Sequence, residues 1–161
     1  MSPLTGIDRV AKDAEARGLA VEIVERAQAD SLHEAAALLG IEPGTIVKSL
    51  VVKKHDGSFL FALVPGGRQI SWAKLRSVVG VNKLSMPSPE VALEATGYER
   101  GTITPLGSVT AWPVFVDELV VGRRVALGAG AHGHSAFVDG DDLIRAFEAT
   151  VADITDAEAT R

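Results

Sequence analysis

The run 46-IVKSLVVKK-54, the turn His55-Asp56-Gly57-Ser58 and the run 59-FLFALVP-65 constrain the fold more than any other stretch of the chain. Two apolar runs joined by a short polar turn containing Asp-Gly specify a β-hairpin. Alternation along the first run puts Ile46, Lys48, Leu50 and Val52 on one face and Val47, Ser49, Val51 and Lys53 on the other. Both faces are mostly apolar, so this strand is expected to be covered on both sides. Lys48 sits in its middle. A lysine there either snorkels to the edge of the sheet or has a task in a pocket, and the pattern alone does not choose. In a pocket it would hold a phosphate or carboxylate as a fixed positive charge, or orient a carbonyl for attack.

Helices and further strands follow the hairpin's lead. Residues 3–17 carry an apolar stripe of Ile7, Val10, Ala11 and Ala14 with Gly18 behind it, which predicts a surface helix. Residues 20–25 alternate as a strand. Ser31-Leu32-His33-Glu34 is a capping-box sequence opening a helix that Gly40 closes. Further helices are expected over 71–79, from Ser88-Pro89-Glu90 to Gly97, and over 141–151. Strands are expected near 81–86, over 109–118 with Pro113 marking an interruption or a sheet edge, and over 123–128 and 134–138. No regular βαβ rhythm emerges. The expectation is an α/β (α+β) fold, one domain over 1–161, with a mixed or antiparallel sheet, curled and barrel-like, and helices packed around it.

Bulk properties exclude several functions. No run approaches the roughly 20 apolar residues of a bilayer span. Charges interrupt the N-terminus where a signal peptide would be apolar, so a cytoplasmic protein is expected. With no cysteine, thiol nucleophiles and Cys-ligated zinc are out. The net charge of −5 argues against a tight non-specific grip on nucleic acid. A local basic patch remains open, with Lys53-Lys54-His55, Arg68, Lys74, Arg76 and Arg123-Arg124 as its candidates, each otherwise a solvated charge.

Motifs narrow the chemistry further. The segment 128-GAGAHG-133 matches a dinucleotide fingerprint literally, but a strand follows it rather than a helix, so it reads as a glycine-rich turn. Gly133-His134-Ser135 lacks the second glycine of a nucleophile elbow, which leaves Ser135 as a polar wall residue. His132 and His134, with only Asp139, Asp141 and Asp142 nearby, make a poor metal set. No carboxylate pair stands out. One oddly placed lysine and two glycine-rich loops, 97-GYERGTITPLG-107 and 128–133, suit hydrolysis of an activated ester, which needs positioning and backbone donors for an oxyanion. They suit a pure binding site equally well.

Four segments in this order and spacing resemble the YbaK/ProX-type aminoacyl-tRNA deacylases, relatives of the editing (insertion) domain of bacterial prolyl-tRNA synthetases. They are LGIEPGTIVKSLVV around Lys48, TGYERGTITPLG at 96–107, WPVFVDE at 112–118 and VALGAGAHGHSAFVDGDDLIRAF at 125–147. The resemblance spans about 20–155. It implies hydrolysis of the ester between a mischarged amino acid and the 3′-terminal adenosine of tRNA, in trans, with tRNA(Pro) carrying a Cys- or Ala-type residue as substrate. No metal or cofactor is implied, and prolyl-tRNA synthetase is implied as a partner by analogy alone. The family's essential lysine falls on Lys48, and its G-x-x-x-P loop on Gly101 to Pro105, where the Gly101 amide would bind the substrate carbonyl. Thr102, Pro105, Gly107, Gly128, Gly130, His132 and Ser135 are implied as substrate-binding. Two departures bear on amino-acid preference: Ser135 stands where many relatives have an aspartate, and VEIVER (21–26) lacks the early tyrosine of several. A non-catalytic module that binds aminoacyl-tRNA is the alternative from a different class.

Overall fold

The computed structural model describes residues 5–158. The hairpin forms as β2 (Val47–Lys54) and β3 (Phe59–Pro65), antiparallel and in register from Val47↔Pro65 to Lys53↔Phe59. It is the middle of a five-stranded mixed sheet. The far end of β2 pairs with β5 (Leu84–Ser85), while β3 runs parallel to β6 (Val114–Asp117) and β6 parallel to β9 (Thr150–Ala152). As the alternation requires, the hairpin divides its side chains between two cores. Val47, Val51, Phe61 and Leu63 enter one cluster, and Val52, Leu60, Ala62 and Val64 enter the other. Leu60, Phe61 and Leu63 are at most 1% exposed, and each such side chain contributes about 1.5–3 kcal/mol by leaving water.

A second sheet is antiparallel, with β8 (His134–Asp139) between β1 (Val21–Glu25) and β7 (Arg124–Gly128). β4 (Arg68–Ile70) and β10 (Thr155–Ala157) form a two-stranded third sheet. A single parallel bridge, Ile46↔Ala126, joins the first sheet to the second. The strands do not close into a barrel. Beyond that bridge β2 and β7 diverge, and the gap between them becomes the main cleft.

Among the described residues five α-helices pack around the sheets: α1 (Gly6–Ala16), α2 (Leu32–Leu39), α3 (Trp72–Val79), α4 (Pro89–Thr96) and α5 (Gly140–Phe147). Positions 3 and 4 of the expected first helix lie outside the described residues. Its cap is a full box, with Thr5 Oγ1 accepting from the Asp8 amide and the Asp8 carboxylate accepting from the Thr5 amide. At α2 only half of the expected box forms: Ser31 caps the Glu34 amide, but Glu34 accepts from Asp30 instead. Among the described residues no helix is long and apolar enough to cross a membrane.

Two expected elements are corrected. The strand expected over 109–118 begins only at Val114, because 109–113 is held in an irregular path: the Val109 amide donates to Thr96 O and Trp112 Nε1 donates to Ala95 O. The closing helix expected over 141–151 ends at Phe147. Glu148 takes a left-handed conformation (φ 49°), and Thr150-Val151 add to the sheet beside β6, where β-branched residues fit well.

Buried Asp117, 1% exposed, ties the last strands down. One carboxylate oxygen accepts from the Ile154 amide (3.1 Å) and the Thr155 hydroxyl (3.0 Å), and the other from the Leu119 amide (3.2 Å). Thr155 Oγ1 in turn accepts from Arg68 Nε at 3.0 Å. This relay fixes β10 against β4, which matters because β4 supplies a partner of Lys48.

Candidate active site

A cleft of about 760 Å³ opens where β2 and β7 separate. Ile46 to Val51 of the β2 segment form one wall, Ala126 to Gly128 of β7 another, and α2, the start of α4 and the 100–103 loop close it. Its size suits a small organic ligand. Much of the lining is apolar, including Val47, Leu50, Val51, Ala92, Ile103 and Leu127. Cationic groups stand around it: Arg26, Lys48 and Arg100, with His134 beside them. Ser49, on the cleft wall, has a buried hydroxyl with no hydrogen-bond partner. Such an orphan costs about 1–3 kcal/mol unless a ligand or water satisfies it.

Lys48 lines this cleft, but its ammonium is already engaged. Nζ donates to Arg68 O at 2.6 Å and to Glu158 Oε1 at 3.2 Å. The side chains of Lys48 and Glu158 are 28% and 46% exposed. A pair this open is worth at most about 1 kcal/mol, so an incoming anion can displace Glu158 cheaply. Of the two sequence readings, snorkelling and pocket, the position combines both: the stem lines the cleft while the head reaches the β4 side.

Gly101 also lines the cleft, exposed and with φ +91°, a conformation that favours glycine. Among the described residues its amide donates to no protein group. Thr102 is buried. Its hydroxyl and amide both donate to Glu99 O (2.8 and 3.0 Å), and its carbonyl accepts from the Gly130 amide (3.1 Å). That last bond zips the two glycine-rich loops together. Gly128, which does line the cleft, packs so tightly on the backbone of Ile103 that a Cβ would overlap the Ile103 carbonyl.

The remaining expected site residues divide. Ser135 is in the cleft wall, 6% exposed, and its hydroxyl accepts from Arg26 Nε at 3.2 Å. His132 packs on Gly101 and pairs with Glu99 at 3.0 Å, outside the cleft lining. Pro105, Gly107 and Gly130 are not in the lining either. Gly107 lies under α1, where its amide donates to Asp13 Oδ2 (2.8 Å) and its carbonyl accepts from Arg9 Nε (3.1 Å) and Nη2 (2.5 Å). Arg9 also donates to Gly97 O and Thr96 O, and stacks 4.5 Å over the Tyr98 ring, whose hydroxyl donates to Leu106 O at 2.7 Å. The whole 97–107 loop is therefore anchored by α1 and Tyr98, leaving Gly101 at its free crest. Arg26 and Arg100 were missed in the sequence, because a lone arginine carries no positional signal there.

With this geometry established, the comparisons with known proteins are specific. Residues 26–146 match the aminoacyl-tRNA editing domain. A proline–tRNA ligase of Thermosipho melanesiensis is 38% identical over 86 residues, covering 53% of this chain and 15% of the ligase. The chain thus spans only a small fraction of the ligases it matches. A protein of Enterococcus faecalis named as a candidate Cys-tRNA(Pro)/Cys-tRNA(Cys) deacylase, EbsC, is 27% identical over 129 residues, 80% of this chain and 79% of that one. A crystal structure described as a candidate trans-editing enzyme for prolyl-tRNA synthetase superposes with a TM-score of 0.87 and 31% identity, over 97% of this chain and 100% of that one. The lysine-bearing hairpin, the two zipped loops and the cleft between them are thus the framework of a known fold: the chain belongs to the aminoacyl-tRNA editing domain family.

Proposed function

We propose that the whole chain acts as one freestanding editing domain, a hydrolase that removes the amino acid from mischarged tRNA in trans. Its substrate would be tRNA(Pro) carrying a Cys- or Ala-type residue. The observation that carries this reading is that Gly101, whose amide has no protein partner among the described residues, lines the same cleft as Lys48. Water adds to the ester carbonyl carbon, and the Gly101 N–H donates to the oxyanion that forms. The tetrahedral adduct collapses with cleavage of the C–O bond to the ribose, whose oxygen takes the proton lost by the water. Lys48, exchanging Glu158 for the substrate, holds the terminal phosphate, and Arg26 and Arg100 add positive charge around it. The amino-acid side chain lies on the apolar wall. No nucleophilic side chain is required, in keeping with Ser135 being occupied by Arg26. This reading assigns the protein to the cytoplasm, with prolyl-tRNA synthetase as the partner that supplies mischarged tRNA.

The occupied ammonium of Lys48 and the serine at position 135 favour a second reading, a module that binds aminoacyl-tRNA without hydrolysing it. A panel of mischarged tRNAs separates the two by following loss of the ester. Turnover is expected, abolished in Lys48→Ala while the circular dichroism spectrum stays unchanged, and with KM lowered in Glu158→Gln as the competing carboxylate loses its charge. Retention of the tRNA with no turnover on any member of the panel would overturn the hydrolase.

A further inference from the structure

Half of the basic residues that the sequence offers as a patch are spent. Arg68 is held by Thr155, Lys74 pairs with Asp153 and Asp156, Arg124 pairs with Glu22, and Arg123 lies against Leu119 O. The other half converge, joined by Lys83. Lys53, Lys54, His55, Arg76 and Lys83, with Asn82, Leu84 and Ser85, line a depression of about 420 Å³ at the open end of β2. Among the described residues none of these five has an acidic partner within ion-pair distance. The acid next in sequence, Asp56, is hydrogen-bonded to the amide and hydroxyl of Ser58 and offsets only part of the charge of nearby Lys54. Concentrating largely unneutralised positive charge costs self-repulsion, and in a chain of net charge −5 it is the opposite of the average surface.

The depression is continuous with the cleft along two strands. Lys53 lies on the same face of β2 as Val47, Ser49 and Val51, and Val51 lines the cleft. Two residues of strand separate them, about 7 Å. On the neighbouring strand Ser85 pairs with Lys53, and the next two residues, Met86 and Pro87, line the cleft. A chain leaving the cleft along this edge passes directly onto the cations.

We propose that this depression binds backbone phosphates of the RNA strand whose 3′ end enters the cleft, so that it sets affinity for the polynucleotide and not the chemistry. The proposal rests on the reading of the substrate as an aminoacyl-tRNA. It accounts for how an acidic protein holds an RNA end: the contact is local, with a few phosphates met by Lys53, Lys54, Arg76 and Lys83. Lys53 and Lys83 are exposed and can be changed without touching the cores.

The test compares the wild type with Lys53→Gln/Lys83→Gln, using a fluorescently labelled RNA hairpin with a single-stranded 3′ overhang for binding and mischarged tRNA for kinetics. Loss of two phosphate contacts makes the slope of log K against log salt shallower by about 1.4 to 1.8. KM for mischarged tRNA rises severalfold at low salt, with kcat unchanged. An unaltered salt slope and KM in the double variant, with the wild type active, would overturn the patch and leave the deacylase reading intact. A wild type that neither binds the hairpin nor hydrolyses any mischarged tRNA would overturn both. If the double variant instead loses affinity only for prolyl-tRNA synthetase, the depression is a protein-docking surface and the RNA assignment fails.

Discussion

Replacing Arg9 by alanine tests whether α1, which precedes the segment matched by the family, holds the 97–107 loop in its working shape. The guanidinium makes four hydrogen bonds to three carbonyls, those of Thr96, Gly97 and Gly107, and lies on the Tyr98 ring. Bonds from a charged donor contribute about 1.5–3 kcal/mol each, and cation–π contact about 0.5–1 kcal/mol at a partly open site. These terms share one side chain and do not add in full. Water can reach part of this half-buried residue, so the net loss is expected to be about 3 kcal/mol. Arg9→Lys keeps the charge but cannot fork across three carbonyls, and should recover less than half. Urea unfolding gives the stability difference, provided the slope with denaturant is unchanged. Deacylation kinetics give the second readout. Both anchored ends flank Gly101, and a misplacement of about 1 Å there costs up to about 100-fold in rate, so kcat should fall further than global destabilisation explains. A loss below about 1 kcal/mol, or a normal kcat in a folded Arg9→Ala protein, would refute the argument.

Gly128→Ala places a methyl against the Ile103 carbonyl, and overpacking of this kind costs about 1–3 kcal/mol. Because the two loops are zipped there, thermal unfolding should begin several degrees lower and turnover should drop with it. Burial pushes the Tyr98 hydroxyl up to about 12, with Arg9 opposing and Asp13 adding to the shift. An unfolded tyrosine ionises near 10. Between those values the folded chain holds the proton that the unfolded chain releases, so this stabilisation is complete below pH ~10 and fades as pH rises toward ~12, by about 2–3 kcal/mol in total. Tyr98 is the chain's one tyrosine, so phenolate absorbance reports it alone. A midpoint near 10 in the folded protein would contradict its burial.

The hairpin was legible because its signal is dense: twenty residues of alternation with one Asp-Gly turn leave few other structures. The three-residue strands β4, β9 and β10 fall below the length at which a period can be seen. The 109–118 segment misled for a physical reason. Trp112 and Val109 bind sideways to the end of α4, so of residues 109–113 only Pro113, whose carbonyl accepts from the Phe61 amide, reaches the neighbouring strand. Over 141–151 the chain carries helix-compatible residues, but pairing with the edge of β6 wins over about one more turn of helix for Thr150 and Val151.

The glycine spacing of GYERGTITPLG illustrates what a site motif conceals. Gly97 sits 88 residues from Arg9, and Gly107 sits 98 from Arg9 and 94 from Asp13, so no local pattern reveals that these are their partners. Glycine is needed at 107 because the Arg9 backbone and the Tyr98 hydroxyl leave no room for a Cβ (2.6 Å to the hydroxyl oxygen). Gly101 is a different case. A Cβ there would meet only the His132 ring at 3.4 Å, an ordinary contact, while its φ of +91° would strain any other residue. Its glycine therefore preserves a left-handed backbone conformation, at a residue that lines the cleft and whose amide has no protein partner among the described residues. One loop thus contains a glycine required by packing, Gly107, and a glycine required by backbone conformation, Gly101, and only the second lines the cleft.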